Sequence, residues 1–191
     1  MDKKGKRKLV HAITIRIALP ALLTILLFVT AIFLIILPSL KENLLAKKRE
    51  LLQEVTKITW DMVAAYEQME RDGALSRAEA QRQAIEMIKR FRYGPTNKDY
   101  FWINDMSAHI VVHPYRPDLH GEPVPDFRYP MGKNLLEEFV KVVRTQGAGY
   151  VDYLFQWQDD PSRIVPKLSY VREFKPWGWV IGTGLYMEDV N

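Results

Sequence analysis

Apolar residues run unbroken from Ile17 to Leu37 as IALPALLTILLFVTAIFLIIL, with no charged residue among them. At about 1.5 Å per residue such a run spans roughly 30 Å, the hydrocarbon thickness of a bilayer. A soluble core helix carries polar residues every few positions, and here Thr24 and Thr30 are the only ones. The pattern predicts a transmembrane helix over 13–38. A cleaved signal peptide, the alternative, has a shorter apolar region and a small-x-small site, and no convincing site follows Leu37.

Pro38 then interrupts, and Ser39-Leu40-Lys41-Glu42 has the form of a capping box that restarts a helix with a small kink. Leu44, Leu51, Ile58 and Ala65 recur at sevens, with Val55, Met62 and Met69 between them. That spacing predicts an amphipathic helix to about Glu70. Its stripe could line a dimer seam or lie on the domain's own sheet. We expect it to cover the sheet, with the membrane-proximal part able to pair between subunits. Ser76-Arg77-Ala78-Glu79 is a second capping box. It opens a helix to about Arg92 with Ala80, Ala84, Ile85 and Ile88 inward, closed by Gly94-Pro95.

The next stretch, Asp99–Pro114 (DYFWINDMSAHIVVHP), predicts a hairpin with strands Tyr100–Asn104 and His109–His113. Period-two spacing puts Tyr100, Trp102 and Asn104 on one face, with Phe101 and Ile103 on the other. It also groups His109, Val111 and His113 opposite Ile110 and Val112. A loop with four prolines follows from Tyr115 to Gly132, and loops of that length are often functional. Lys133–Thr145 reads as a helix with Leu135, Leu136, Phe139, Val140 and Val143 inward. Strands Tyr150–Trp157, Pro166–Phe174 and Trp179–Tyr186 follow, separated by turns at Asp159–Ser162 and Lys175–Gly178. The fold class is α+β, a five-stranded antiparallel sheet with a long N-terminal helix, preceded by one transmembrane helix. Three segments result: a basic leader over 1–12, the membrane helix over 13–38, and a domain over 39–191.

The formal net charge of +4 resides in the leader, where Lys3, Lys4, Lys6, Arg7, Lys8 and Arg16 face only Asp2. The remainder is near neutral, so no basic face suits nucleic acid. Basic residues ahead of an apolar run stay in the cytoplasm, which places the domain outside the inner membrane. Cysteine is absent, and about 150 residues after the anchor suffice for a core without disulfides.

The blocks DYFWIND, VVHP, GAGYVDYLFQW, VPKLSYV and WGWVIGTGLY, in that order, resemble the single Cache domain of type 2 over about Leu44–Asp189. The resemblance implies a PAS-like extracytoplasmic sensor module of bacterial chemoreceptors and sensor kinases. It implies a helix on one sheet face, a ligand pocket on the other, and short organic acids such as acetate, propionate, pyruvate or lactate as ligands. Such receptors return through the membrane to an output region. No second apolar span precedes Asn191, so we expect a fragment of a larger receptor, with a stand-alone anchored binding protein as the other reading.

The residues support that chemistry independently. A small carboxylate needs a cation, a few donors and apolar walls. Lys167 is charged inside a strand that otherwise reads as buried, and an unpaired buried ammonium is costly. A bound carboxylate would complete it. The other reading is an edge-strand lysine reaching water. His113 stands at the mouth of the long loop as a donor or a strand cap. Tyr100 and Trp102 offer a hydroxyl, an indole N–H and flat walls, or simply core. Tyr170 matches the Tyr of the family's K-L-S-Y block, although alternation puts it on the face away from Lys167. Arg92 is a reserve cation, and Gly182 and Gly184 make room behind the pocket or relieve turn strain.

His109, His113 and His120 have too few carboxylates or thiols nearby for a metal site, and neither a cofactor motif nor a nucleophile elbow is present. The expectation is a non-enzymatic sensor domain with a small carboxylate, the membrane and a homodimer through the N-terminal helix as partners. A ligand-free tethered interaction domain and an exported hydrolase using His113 are the alternatives.

Overall fold

The computed structural model describes residues 3–120 and 135–187, with side chains given for Arg16 and from Ala18 onward. The chain divides into two compact units, Met1–Ala46 and Lys47–Asn191. In the first, α1 (Lys3–Ala31) passes through a π turn (Ile32–Ile36) into α2 (Leu37–Arg71). Leu22, Leu26, Phe28, Phe33 and Leu34 are all exposed. Among the described residues one helix, Ala18–Arg71, is long and apolar enough to cross a membrane. The capping box expected at Ser39–Glu42 is not used, because the backbone is already helical when it reaches Pro38. Leu37 donates its N–H to the Ile32 carbonyl, an i to i−5 bond, and this π turn directly precedes Pro38, which has no N–H to give to the ladder.

In the second unit the sheet runs in the order β1-β2-β6-β5-β4. Its strands are β1 (Arg92–Tyr93), β2 (Asp99–Asp105), β3 (Ile110–Val112), β4 (Ala148–Trp157), β5 (Asp160–Phe174) and β6 (Trp179–Tyr186). Every pairing between these strands is antiparallel, and β3 shares the outer edge of β2 with β1. The five expected strands are present, with the two-residue β1 in addition. The last strand pairs with the first hairpin and thereby joins the two groups into one sheet. The β4–β5 turn is Gln158-Asp159, one step before the expected Asp159–Ser162, since Trp157 already pairs with Asp160.

One face is covered by α2 and by α3 (Arg77–Arg90), whose Ser76 cap accepts a hydrogen bond from the Glu79 N–H at 3.3 Å. Val63, Ala80, Ala84 and Ile88 pack there on Phe101, Ile103 and Ile181. The other face carries α4 (Leu135–Gln146), which buries all five residues its pattern predicted. The seven-residue stripe of α2 does not cover the sheet: Leu44, Leu51, Ile58 and Met69 are exposed, while Leu52, Thr56, Thr59 and Val63 are buried. Thr56 and Thr59 enter the core because their hydroxyls donate to the Leu52 and Val55 carbonyls of their own helix. Of the proline-rich loop, residues 121–132 lie outside the described residues.

Candidate functional site

Strict alternation fails once in the first hairpin, and the failure shapes the site. Ile103 pairs with Val112 but Asn104 pairs with Ile110, so a bulge lies between them. Val112 therefore faces α2 and α3, whereas Ile110 faces α4. His113 turns with Ile110 into the cavity on the α4 side and away from Val111, against the expected grouping. His120 then backs it: the His113 N–H donates to His120 Nε2 at 2.8 Å, beside a bridge from Ile110 to His120.

Lys167 is on β5 between β4 and β6, in register with Tyr153 and Tyr186. It is thus an interior-strand lysine, 1% exposed, and the edge-strand reading does not hold. Its Nζ donates to Tyr100 Oη at 2.9 Å. The rings of Tyr100, Tyr186, Phe155 and Trp102 surround it at 4.2, 4.9, 5.0 and 5.5 Å from Nζ to centroid. Aromatic faces attract the ammonium. Among the described residues no carboxylate forms an ion pair with it. Burial pushes the amine down to about 7, and the more distant charge of Asp99 acts in the opposite direction.

Beside this cage lies a cavity lined by Trp102, Ile110, His113, Leu136, Phe139 and Phe155 among others. About 360 Å³ of atom-free space lies between these residues, counting the solvent at its mouth. Trp102 and Phe155 belong to both cage and cavity. Two buried polar atoms on residues lining the cavity, Trp102 Nε1 and His113 Nδ1, have no hydrogen-bond partner among the described residues. Burial, followed by the positive charges of Lys167 and Arg116, holds the His113 imidazole well below its ordinary value, so it is neutral at pH 7.

The two glycines of β6 leave room for this arrangement. A Cβ on Gly182 would stand 2.3 Å from the Trp102 indole, and one on Gly184 would stand 2.1 Å from Ser169 Oγ and 2.8 Å from Lys167 Cε. The structure therefore brings together Tyr100, Trp102, His113 and Lys167. Tyr170 is not with them. It lies on the opposite face, its ring 4.8 Å from that of Tyr150, whose hydroxyl donates to the Arg49 carbonyl of α2. Arg92 lies over Tyr115, one ring away from Tyr100. Sequence reasoning missed Phe155, Tyr186 and the α4 wall. Tyr186 was within reach, because it is paired across from Lys167 and shares its face.

The family model described as single Cache domain 2 matches residues 44–191. The methyl-accepting chemotaxis protein McpP of Pseudomonas putida is 37% identical over 159 residues, 83% of this chain and 28% of McpP. The sensor histidine kinase MctS of Rhizobium johnstonii is 31% identical over 111 residues, 58% of this chain and 23% of MctS. The chain thus spans about a quarter of the length of the curated relatives it matches. Among solved structures, a periplasmic sensor domain of a chemotaxis protein matches with a TM-score of 0.71 and 37% identity, covering 75% of this chain and 98% of that one. A second, described as the structural basis for carboxylic acid recognition by a Cache chemosensory domain, matches with a TM-score of 0.72 and 36% identity, covering 77% and 98%. From the family match and these relatives, this chain belongs to the single Cache domain 2 family of sensor domains.

Proposed function

We propose that the domain is an extracytoplasmic sensor that binds a small organic acid of the acetate, propionate, pyruvate or lactate class, without catalysis. The observation that carries this reading is Lys167, a buried amine with a phenol for a partner and no ion pair to a carboxylate among the described residues. Leaving a charge so placed is expensive, and a carboxylate beside it provides both the opposite charge and an acceptor. Trp102 Nε1 and His113 Nδ1 supply further polar contacts at the cavity wall, whose remaining lining is mostly apolar. Tyr170 has no part in this site. Carboxylic acid recognition by the 36%-identical Cache neighbour supports the same ligand class.

The apolar helix near the N-terminus anchors the domain with the basic leader in the cytoplasm, and the chain forms the N-terminal part of a larger chemoreceptor or kinase. Tyr186 provides a route for the signal. Its ring belongs to the lysine cage, while its carbonyl accepts from Lys48 Nζ of α2 at 3.3 Å. A ligand that draws Lys167 from Tyr100 thus alters the surroundings of a residue that holds α2. The shift requires that the two arrangements bind the acid with different affinity.

The first test is thermal unfolding of the full chain in detergent against two- to four-carbon acids. A ligand at 100 times its dissociation constant stabilises by about 2.7 kcal/mol. Gains for short acids support the reading, and a panel without effect contradicts it. Affinity also depends on pH in a set direction. The amine must be protonated to pair with a carboxylate and loses its proton above about 7 in the free protein, so binding weakens as pH rises past that value. Titration at pH 6, 7 and 8 checks this.

The exposed line of Leu51, Ile58 and Ala65 on α2, with exposed Met69 one turn beyond, favours a second copy of the chain, because a seven-residue repeat suits a two-helix seam. The native chain has no cysteine, so Ile58→Cys gives a clean readout. Oxidation in membranes is expected to trap a disulfide dimer, whereas Gln53→Cys, exposed but off that line, stays monomeric.

A further inference from the structure

We propose that Phe139 of α4 is the stop that limits the length of the acid's hydrocarbon tail. The inference rests on the carboxylate reading and adds its specificity element. The polar atoms of the site belong to Lys167 and to the cavity-lining residues Trp102 and His113. Leu135, Leu136 and Phe139 of α4 line the same cavity with apolar side chains alone. A carboxylate paired with Lys167 would set its tail against apolar wall, part of which these three side chains form.

Phe139 differs from its two leucine neighbours in how it is held. It is 1% exposed, with its ring 5.3 Å from that of Trp102 and 5.5 Å from that of Tyr153. Both flanking rings are fixed in turn. Gly182 brings β6 against the Trp102 indole, and the Tyr153 hydroxyl bonds Ser169 Oγ at 2.9 Å. A ring wedged between two anchored rings cannot step aside for one more methylene. Dense packing makes such a wall a threshold, not a gradual resistance.

Calorimetric titration of the full chain in detergent with the linear acids from acetate to hexanoate tests this, using the parent, Phe139→Ala and Phe139→Leu. In the parent, each methylene that still fits gains about fourfold in affinity, and the first that does not fit reverses the trend. In Phe139→Ala the optimum moves to an acid longer by at least one methylene, while acetate binds within threefold of the parent. Phe139→Leu, the milder change, shifts the optimum the same way if the alanine variant does not fold. An unchanged optimum in a folded variant, or equal weakening of every acid, overturns the proposal while the carboxylate site stands. A parent that binds none of the acids overturns the carboxylate reading itself.

Discussion

Replacing Lys167 with methionine is expected to make the ligand-free protein more stable and to abolish its response to acids. Both effects have one cause. In the folded chain the amine is buried with a single hydrogen bond, to Tyr100, so its charged form is disfavoured relative to the unfolded state. The folded-state value of about 7 lies below the unfolded value of 10.5. Between those values the unfolded chain binds the extra proton, so native stability rises with pH from about 7 to 10.5. Below about 7 both states are protonated and the burial penalty is fully present. Methionine fills similar volume without charge, and such replacements of buried ions commonly stabilise by about 1–4 kcal/mol. Thermal unfolding at pH 6.5 should therefore show a higher midpoint for Lys167→Met than for the parent, and no further rise with saturating acid. A lower midpoint would mean that the ammonium is held better than the cage allows.

The second large effect is expected at Gly182. An added Cβ meets the indole of Trp102 at 2.3 Å, and with Phe139 and Tyr100 flanking the indole at 5.3 and 6.5 Å between ring centroids, its way out is into the cavity it lines. Gly182→Ala must displace either the ring or the β2–β6 pairing in which the two residues face each other. Overpacking of this kind costs about 1–3 kcal/mol. It also pushes the indole into the cavity, so acid binding should fall by at least tenfold. Circular dichroism melting and calorimetry read the two effects separately. Near-parental values for both would show that the cavity does not depend on this close approach.

Much of this was legible in the sequence, for identifiable physical reasons. The Ser76 cap and the inward face of α4 were readable because each depends on local spacing alone. Lys167 was noticeable because a charge in an apolar strand has few explanations. The α2 stripe differs from expectation because apolar character alone does not mark burial on this helix. Thr56 and Thr59 pack inward once their hydroxyls bond their own helix, leaving Leu51 and Ile58 outside. Period-two counting groups His113 with Val111 and cannot register the bulge at Ile103 and Asn104. The α4 wall and the cage around Lys167 depend on β6 running between β2 and β5, a long-range pairing that no local pattern encodes.

The central claim is that the acid pairs with the Lys167 ammonium, and proton linkage measures it most directly. Calorimetry of propionate binding at pH 8, in two buffers with different ionisation heats, gives the number of protons exchanged. The expected result is uptake close to one proton per acid bound, diminishing toward zero at pH 6, where the amine is already protonated. Binding at pH 8 with no proton taken up would contradict the claim.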